Sequence, residues 1–139
     1  MKYLGLDIGD KRIGIAVSTT GIFASGVETY QRVSLKKDSQ YIYDLIKKYD
    51  VDIIVAGLPK HLNGDAHEQA EKNEVLLNAL REMGCNIQYF DERLTSSAAE
   101  KAMLEADLSR KKRKENIDKL AAVIILQDYL DSFGGGFKL

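Results

Sequence analysis

Short apolar runs and amphipathic segments alternate along the chain. Residues 3–8 and 13–18 are apolar runs separated by Gly9 and Asp10, a pair typical of a hairpin turn. A third segment, residues 22–33, is rich in β-branched and aromatic side chains, which favour strands. The pattern therefore predicts that the chain opens with a three-stranded antiparallel meander.

The middle of the chain alternates between helical and strand patterns. Residues 39–49 carry apolar side chains at helical spacing. Residues 53–56 are apolar on both faces, as expected for a central strand that is covered by helices. Residues 66–83 have a helical pattern that ends at Gly84, a residue suited to close a helix, and a strand is predicted at residues 87–90.

Two further helices are predicted in the last third of the chain. Ser97 and Glu100 have the spacing of a capping box, and residues 115–132 form the last helix. The element order β-β-β-α-β-α-β-α-α predicts an α/β fold. Its five-stranded mixed sheet has three antiparallel strands followed by parallel strands, and helices flank it. No internal repeat or linker divides the chain, so a single domain is expected over residues 1–139.

Composition narrows the class of protein. With 139 residues, 45% of them hydrophobic, the chain can fill one core but not two lobes around a cleft. The 20 basic and 21 acidic side chains give a net charge of −1, so binding of a polyanion would depend on local charge clusters. Cys85 is the only cysteine, which excludes an internal disulfide. There is no signal-peptide pattern and no apolar run of the ~18 residues that span a membrane, so a cytoplasmic protein is expected.

Three carboxylates that are far apart in the chain are candidates for one site. Asp7 lies inside the first predicted strand, where an ionised group is costly unless it is paired or bound to a metal. Asp91 and Glu92 follow the strand at residues 87–90, at the end where open α/β sheets bind ligands. Strand alternation sends these two side chains to opposite faces, and the residues alone do not choose between them. Asp118 is expected in the first turn of the last helix.

Small residues beside these acids favour a common location. Alternation puts Gly5 on the same face as Asp7, and we expect it to leave space beside the carboxylate. Ala121 and Ala122, one turn after Asp118, would let the last helix lie close to the sheet. Carboxylates from three elements suit Mg²⁺ or Mn²⁺, and two such ions could hydrolyse a phosphodiester. Taken singly, Asp7 could instead anchor backbone amides, and Asp118 could instead interact with the helix dipole.

Four motifs together resemble one known family. They are YLGLDIGDKRIGIAVS at 3–18, GLP at 57–59 with NG at 63–64, DERLT at 91–95 and DKLAA at 118–122. In this order they resemble the YqgF (RuvX-like) family, relatives of the Holliday-junction resolvases, over essentially the whole chain. The resemblance implies a ribonuclease-H-like fold and a nuclease that matures pre-16S ribosomal RNA or resolves Holliday junctions. It also implies that Asp7, Glu92 and Asp118 are the catalytic, metal-binding acids, which favours Glu92 over Asp91.

The chain departs from the family pattern at two positions. Thr19 stands where many members have an acidic residue, and Asn63 stands where the loop often has aspartate. Both lie outside the expected metal cluster, so they bear on substrate contacts. The better-known resolvases use four acids, and Glu115, about one helical turn before Asp118, is the candidate for a fourth. Without it, a second metal ion would be held weakly or not at all.

Basic residues cluster near these acids. Residues 110–114 are all basic, a pattern usual in a solvated loop, but their position before the helix of Asp118 favours contact with phosphates. Such contacts position a backbone without reading bases, so structure-selective cutting of RNA or branched DNA is expected, by a monomer or a homodimer. The candidate nucleic-acid ligands are Lys11, Arg12, Lys60, Arg93, Arg110, Lys111, Lys112, Arg113 and Lys114.

Two other functions fit part of the pattern. The segment LDIG at residues 6–9 also resembles the first phosphate motif of actin-like ATPases, but those proteins need two lobes around the nucleotide. A non-catalytic module that binds RNA or the ribosome is the third alternative, and the three intact acids argue against it without proving turnover. Metal-dependent cleavage, saturable ATP binding and binding without cleavage would separate the three functions.

Overall fold

The computed structural model describes residues 1–58, 64–91 and 110–133, with side chains at residues 1–57, 70–91 and 119–132. The predicted capping box at Ser97 and Glu100 lies outside these ranges. The elements within them are β1 (Tyr3–Ile8), β2 (Arg12–Ser18), β3 (Ser25–Gln31), α1 (Leu35–Tyr49), β4 (Ile53–Leu58), α2 (Gly64–Glu82), β5 (Ile87–Asp91) and α3 (Arg110–Phe133).

The five strands form one mixed sheet in the order β3-β2-β1-β4-β5. β1 pairs antiparallel with β2, and β2 pairs antiparallel with β3, which confirms the predicted meander. β1, β4 and β5 are mutually parallel neighbours. The α/β class and the mixed five-stranded sheet predicted above are therefore confirmed. The carboxyl ends of β1, β4 and β5 meet at one edge of the sheet, which we call the carboxyl edge.

Helices cover both faces of the sheet. On one face, Leu4 and Leu6 of β1 pack with Ile42 of α1 and Leu76 of α2. The other face packs against α3, and its core cluster consists of Tyr3, Ala16, Val55, Phe90, Ala122, Ile125, Leu126 and Leu130. Alternate residues of each strand thus belong to two different cores. Among the described residues, no helix combines the length and apolarity needed to cross a membrane.

Helix α1 begins at Leu35 rather than at residue 39 as predicted. Ser34 has extended backbone angles, and its side chain accepts a hydrogen bond from Lys37 N at 3.2 Å, so it caps the helix. The helix ends at Asp50, whose backbone is left-handed and whose N–H bonds back to the last turn. The apolar periodicity located the body of this helix, but its start depends on the capping serine.

Helix α3 begins at Arg110, so two expectations about its first turn are wrong. The basic run at residues 110–114, expected directly before the helix, lies within it. With 3.6 residues per turn, Asp118 lies in the third turn and not the first. The favourable effect of the helix dipole on a negative charge falls off within the first turn. It therefore does not explain an acidic residue at position 118. Arginine and lysine are strong helix formers, which accounts for the longer helix.

Candidate active site at the carboxyl edge

Asp7 is the half-buried residue of a strand that is otherwise buried. It shares the α3 face of the sheet with Tyr3, because successive side chains alternate. Its direct partner on β2 is Gly14. The β1–β4 register, continued by one residue beyond the pair Leu6–Ala56, puts Gly57 on its other side. Asp7 therefore has a residue without a side chain on each neighbouring strand.

We call this surface the glycine floor: Gly14, Asp7 and Gly57 side by side on three adjacent strands. Neither flanking residue adds a side chain beside the carboxylate. Gly14 and Gly57 were not among the residues predicted for the site. Each is an isolated glycine in an apolar run, a signal for close approach of another group. The strand register was needed to put both next to Asp7.

Helix α3 packs across β1, β2 and β3 and runs antiparallel to β1. The ring of Tyr3 packs against the ring of Tyr129 with centroids 5.8 Å apart. Two residues further along β1, a methyl group on Gly5 would lie 2.8 Å from Leu126 Cβ and 3.2 Å from Ala122 O. Two strand residues advance by about 6.7 Å and four helical residues by about 6 Å, so each step along β1 matches one turn back along α3.

The next step, from Gly5 to Asp7, leads toward the N-terminal half of α3, which contains Asp118 one turn before Ala122. The closeness of the helix depends on Ala122, which is fully buried, as expected from its small side chain. The expectation for Gly5 is wrong, however. The space above Gly5 is filled by α3 itself, so this glycine permits helix–sheet contact and does not widen the site.

At the end of β5, Asp91 and Phe90 lie on opposite faces. Phe90 pairs with Gly57 and is buried against α3, on the same face as Asp7. Asp91 pairs with Leu58, so it lies on the face covered by α1 and α2. Asp91 is therefore not on the same face as Asp7. Glu92, the family's acid, is outside the described residues.

The predicted nucleic-acid ligands are described only in part. Lys11 and Arg12 are exposed at the turn between β1 and β2, close to the carboxyl edge. The backbone of residues 110–114 forms the start of α3, and Lys60 and Arg93 lie outside the described residues. Among the described side chains there is no group of three potential metal ligands, and Glu92 and the Asp118 side chain are not among those.

A buried ion pair ties the turn after Asp7 to helix α1. Arg32 donates from Nε to Asp38 at 3.0 Å, and the two side chains are 17% and 2% exposed. Arg32 Nη1 also donates to Gly9 O at 3.0 Å, and Arg32 N donates to Lys11 O at 2.9 Å. We call this set the Arg32 clamp. It holds both sides of the β1–β2 turn, which begins two residues after Asp7.

Asp38 is kept ionised by its donors. Burial by itself opposes ionisation, but hydrogen bonds from Val33 N, Arg32 and the Tyr30 hydroxyl outweigh it and lower the pKa of Asp38. A lowered pKa in the folded state stabilises the protein above the unfolded-state value of about 3.9. That contribution is lost as the pH falls through the lower folded-state pKa.

Asp38→Asn is therefore expected to lower the free energy of unfolding by about 2 kcal/mol near pH 7, because Arg32 loses its charged partner. Urea titrations at several pH values measure it. The difference between wild type and variant should be constant above about pH 5 and shrink toward pH 3. Asp44→Asn, at an exposed position on the same helix, is the control and should change stability by less than about 0.5 kcal/mol. A difference that does not change with pH would contradict the assigned ionisation.

The chain is similar to known proteins both in sequence and in overall structure. A family model described as the Holliday junction resolvase RuvX matches residues 1–132. A Clostridium tetani protein named "putative pre-16S rRNA nuclease" is 51% identical over 134 residues, which cover 95% of this chain and 97% of that one. A Clostridioides difficile protein of the same name is 50% identical over 132 residues, 94% of each chain.

Two solved structures illustrate the shared fold. Thermus thermophilus RuvC in complex with a Holliday junction substrate has a TM-score of 0.64 at 13% identity, over 95% of this chain and 94% of that one. The Fowlpox virus resolvase in complex with Holliday junction DNA has a TM-score of 0.59 at 9% identity, over 96% and 99% of the two chains. At such low identities the likeness shows the fold alone, and it confirms the expected ribonuclease-H-like architecture.

Proposed function

The chain belongs to the RuvX family and is a nuclease, and from this premise we propose that it hydrolyses phosphodiester bonds in structured nucleic acid, with Asp7, Glu92 and Asp118 as ligands of Mg²⁺ or Mn²⁺. One observation carries the proposal: Asp7 lies between Gly14 and Gly57 at the carboxyl edge, and α3 runs antiparallel to β1, so the half of α3 that contains Asp118 leads toward this edge. This direction supports a common site for two acids that are separated by more than a hundred residues in the chain.

The strand register supports Glu92 as the third acid in preference to Asp91. Phe90 is buried on the same face as Asp7, and Asp91 belongs to the opposite face. If the alternation of β5 continues for one more residue, Glu92 turns to the face of Asp7. The choice that the family resemblance favoured thus has an independent physical reason.

The donor set fits a hard divalent cation. Carboxylate oxygens from three separate elements are the ligands that Mg²⁺ and Mn²⁺ prefer, and the described part of this site contains no cysteine or histidine that would favour zinc. When bound, such an ion supplies charge stabilisation and an activated water for attack on phosphorus. The chain's own contribution is to hold the Asp7 carboxylate on a rigid central strand and to leave the glycine floor open to a phosphate group.

Basic residues around the carboxyl edge would orient the substrate. Lys11 and Arg12 follow Asp7 on the β1–β2 turn, which the Arg32 clamp holds in one conformation. The basic run at 110–114 precedes Asp118 by one to two helical turns, and Lys60 and Arg93 are further candidates from the sequence. Because these side chains bind phosphates and not base edges, the expected selectivity is for the shape of the nucleic acid.

For the substrate we propose structured RNA, with processing of the 5′ end of pre-16S ribosomal RNA as its cellular role. Curated relatives at about half identity carry the name pre-16S rRNA nuclease. Branched DNA is the second candidate, because the family model and the solved neighbours are named for Holliday junction resolution. We further propose a cytoplasmic enzyme with one domain over residues 1–139, active as a monomer or a homodimer.

Metal-free protein is expected to cut neither a structured precursor RNA nor a four-way DNA junction. Mg²⁺ or Mn²⁺ should restore cleavage of at least one, because the carboxylates alone do not supply an activated water. Gel assays with matched RNA and DNA substrates over a metal titration measure this. Binding of both substrates without cleavage at any metal concentration would support the non-catalytic module instead. Saturable ATP binding would support the actin-like alternative.

A further inference from the structure

Next to the carboxyl edge lies an open cavity of about 870 Å³ on the face covered by α1 and α2. We call it the hairpin groove. Asp10 and Lys11 of the β1–β2 turn form one wall, Leu35 at the start of α1 forms the second, and Lys72 and Val75 of α2 form the third. The proposed catalytic acids do not explain this groove, because Asp7 lies on the other face of the sheet.

The groove has an exposed apolar surface. Val33, Leu35 and Val75 line it and are 64%, 42% and 53% exposed. They are three of the seven large hydrophobic side chains that are exposed in the described part of the chain. Isolated exposed apolar residues are ordinary, but three around one cavity mark a binding surface.

The rim of the groove is positively charged. Two of its ionic groups neutralise each other in the Arg32 clamp, and Asp10 faces Lys72 across the opening at 3.5 Å. Lys11 remains in excess within the lining. Beyond the lining, the exposed Lys36 and Lys37 follow Leu35 on α1, and the exposed Glu71 precedes Lys72 on α2. In a chain with a net charge of −1, this local excess of cations favours an anionic ligand.

The groove is continuous with the proposed active site around the β1–β2 turn. Asp10 is three residues after Asp7, so at most about 10 Å of backbone separates the two. The turn itself is held by the Arg32 clamp. Consider a nucleic acid whose scissile phosphate lies on the glycine floor. If its strand continues across the sheet edge, it would reach the groove within a few nucleotides.

We propose that the hairpin groove binds unpaired nucleotides of the substrate next to the cleavage position. Their bases contact Val33, Leu35 and Val75, and their phosphates lie near Lys11 and the lysines at the start of α1. Contact with base faces, supplied at most such sites by aromatic side chains, and cationic contact with the backbone are the two components of single-strand binding, and in this groove aliphatic side chains supply the first. The inference rests on the proposed function and adds that the substrate must have a single-stranded segment beside the cut.

The test is binding without cleavage. Wild-type protein, Val75→Glu and Val75→Gln are titrated in EDTA against a labelled RNA hairpin that has an unpaired flank, and against the same hairpin without the flank. Val75→Glu puts a negative charge into the groove and should raise the Kd for the flanked RNA about tenfold. Val75→Gln should change it less than about threefold, and the hairpin without a flank should bind all three proteins alike.

Phe23→Glu is the matched control, because Phe23 is 71% exposed in the β2–β3 connection, at the opposite edge of the sheet. An equal loss of binding in Phe23→Glu and Val75→Glu would reflect net charge alone and overturn the proposal. Unchanged RNA binding by a folded Val75→Glu would also overturn it, and the groove would then be a site for a protein partner.

A second measurement does not depend on an added charge. In a Cys85→Ala background, a thiol-linked photo-crosslinker at Val75→Cys should label the unpaired flank, and the same reagent at Phe23→Cys should not. Absence of labelling from position 75 with bound RNA would overturn the proposal. All of these readouts are independent of cleavage. The proposed role of the groove can therefore be refuted while the proposed nuclease activity is retained, and the nuclease activity can be refuted while the role of the groove is retained.

Discussion

Asp7→Asn is expected to abolish metal-dependent cleavage, with a loss of roughly a thousandfold or more, and to leave folding and nucleic-acid binding intact. Asparagine has nearly the same shape as aspartate, so the packing of β1 is retained. It lacks the negative charge that holds a hard divalent cation beside the scissile phosphate. Single-turnover rates at saturating metal, with Kd values measured in EDTA, separate the two effects.

Variants at the end of β5 provide the matched comparison. Glu92→Gln should lose activity in the same way as Asp7→Asn, and Asp91→Asn should keep most of it, because Asp91 lies on the opposite face of the sheet. A loss confined to Asp91→Asn would mean that the strand does not continue with the same alternation. Full activity of Asp7→Asn would remove Asp7 from the metal site and overturn the proposed chemistry.

Gly5→Ala is expected to lower the stability of the protein strongly, and to reduce cleavage as well. The added methyl would lie 2.8 Å from Leu126 Cβ and 3.2 Å from Ala122 O, well inside normal contact distance. Both atoms are fixed to the α3 backbone, so the helix must move away from β1. Overpacking of this kind costs about 3 kcal/mol, or a decrease of roughly 10 °C in Tm.

The same displacement should lower the cleavage rate by about a hundredfold, because it moves the backbone of Asp118 away from Asp7. Gly26→Ala is the control, since Gly26 also lies beneath α3. Its added methyl would meet Lys119 Cγ at 2.9 Å and Cδ at 3.0 Å, and this flexible side chain can move aside. The control should lose less than about 1 kcal/mol and keep its activity. Equal effects of the two substitutions would show that contact between β1 and α3 does not position the site.

Several features were predictable because they depend on residues close together in the chain. The apolar run at residues 3–8 located β1 with Asp7 inside it, and the Gly9–Asp10 pair indicated the turn to β2. Gly84 was recognised as the end of α2, and its positive φ angle of 95° agrees with that role. Such features follow from the conformational preferences of a few neighbouring residues.

Boundaries that depend on weaker local signals were less accurate. The start of α1 requires the Ser34 cap, and the start of α3 lies in a run of basic residues that could equally have been a solvated loop. The second error had a functional consequence, because it assigned Asp118 to a first helical turn. In the structure Asp118 belongs to the helix interior, where a metal-ligand role fits better than a dipole interaction.

The order of residues in the chain was sufficient to identify strand β1, the position of Asp7 within it and the α/β class, because periodicity and turn chemistry act over a few residues. The tertiary structure alone decided that α3 fills the space above Gly5, that Gly14 and Gly57 flank Asp7, and that Asp91 lies on the other face. It also revealed the Arg32 clamp and the hairpin groove. These features depend on strand register and on how closely distant segments can pack, and both are set by the shapes of side chains that meet only in the folded protein.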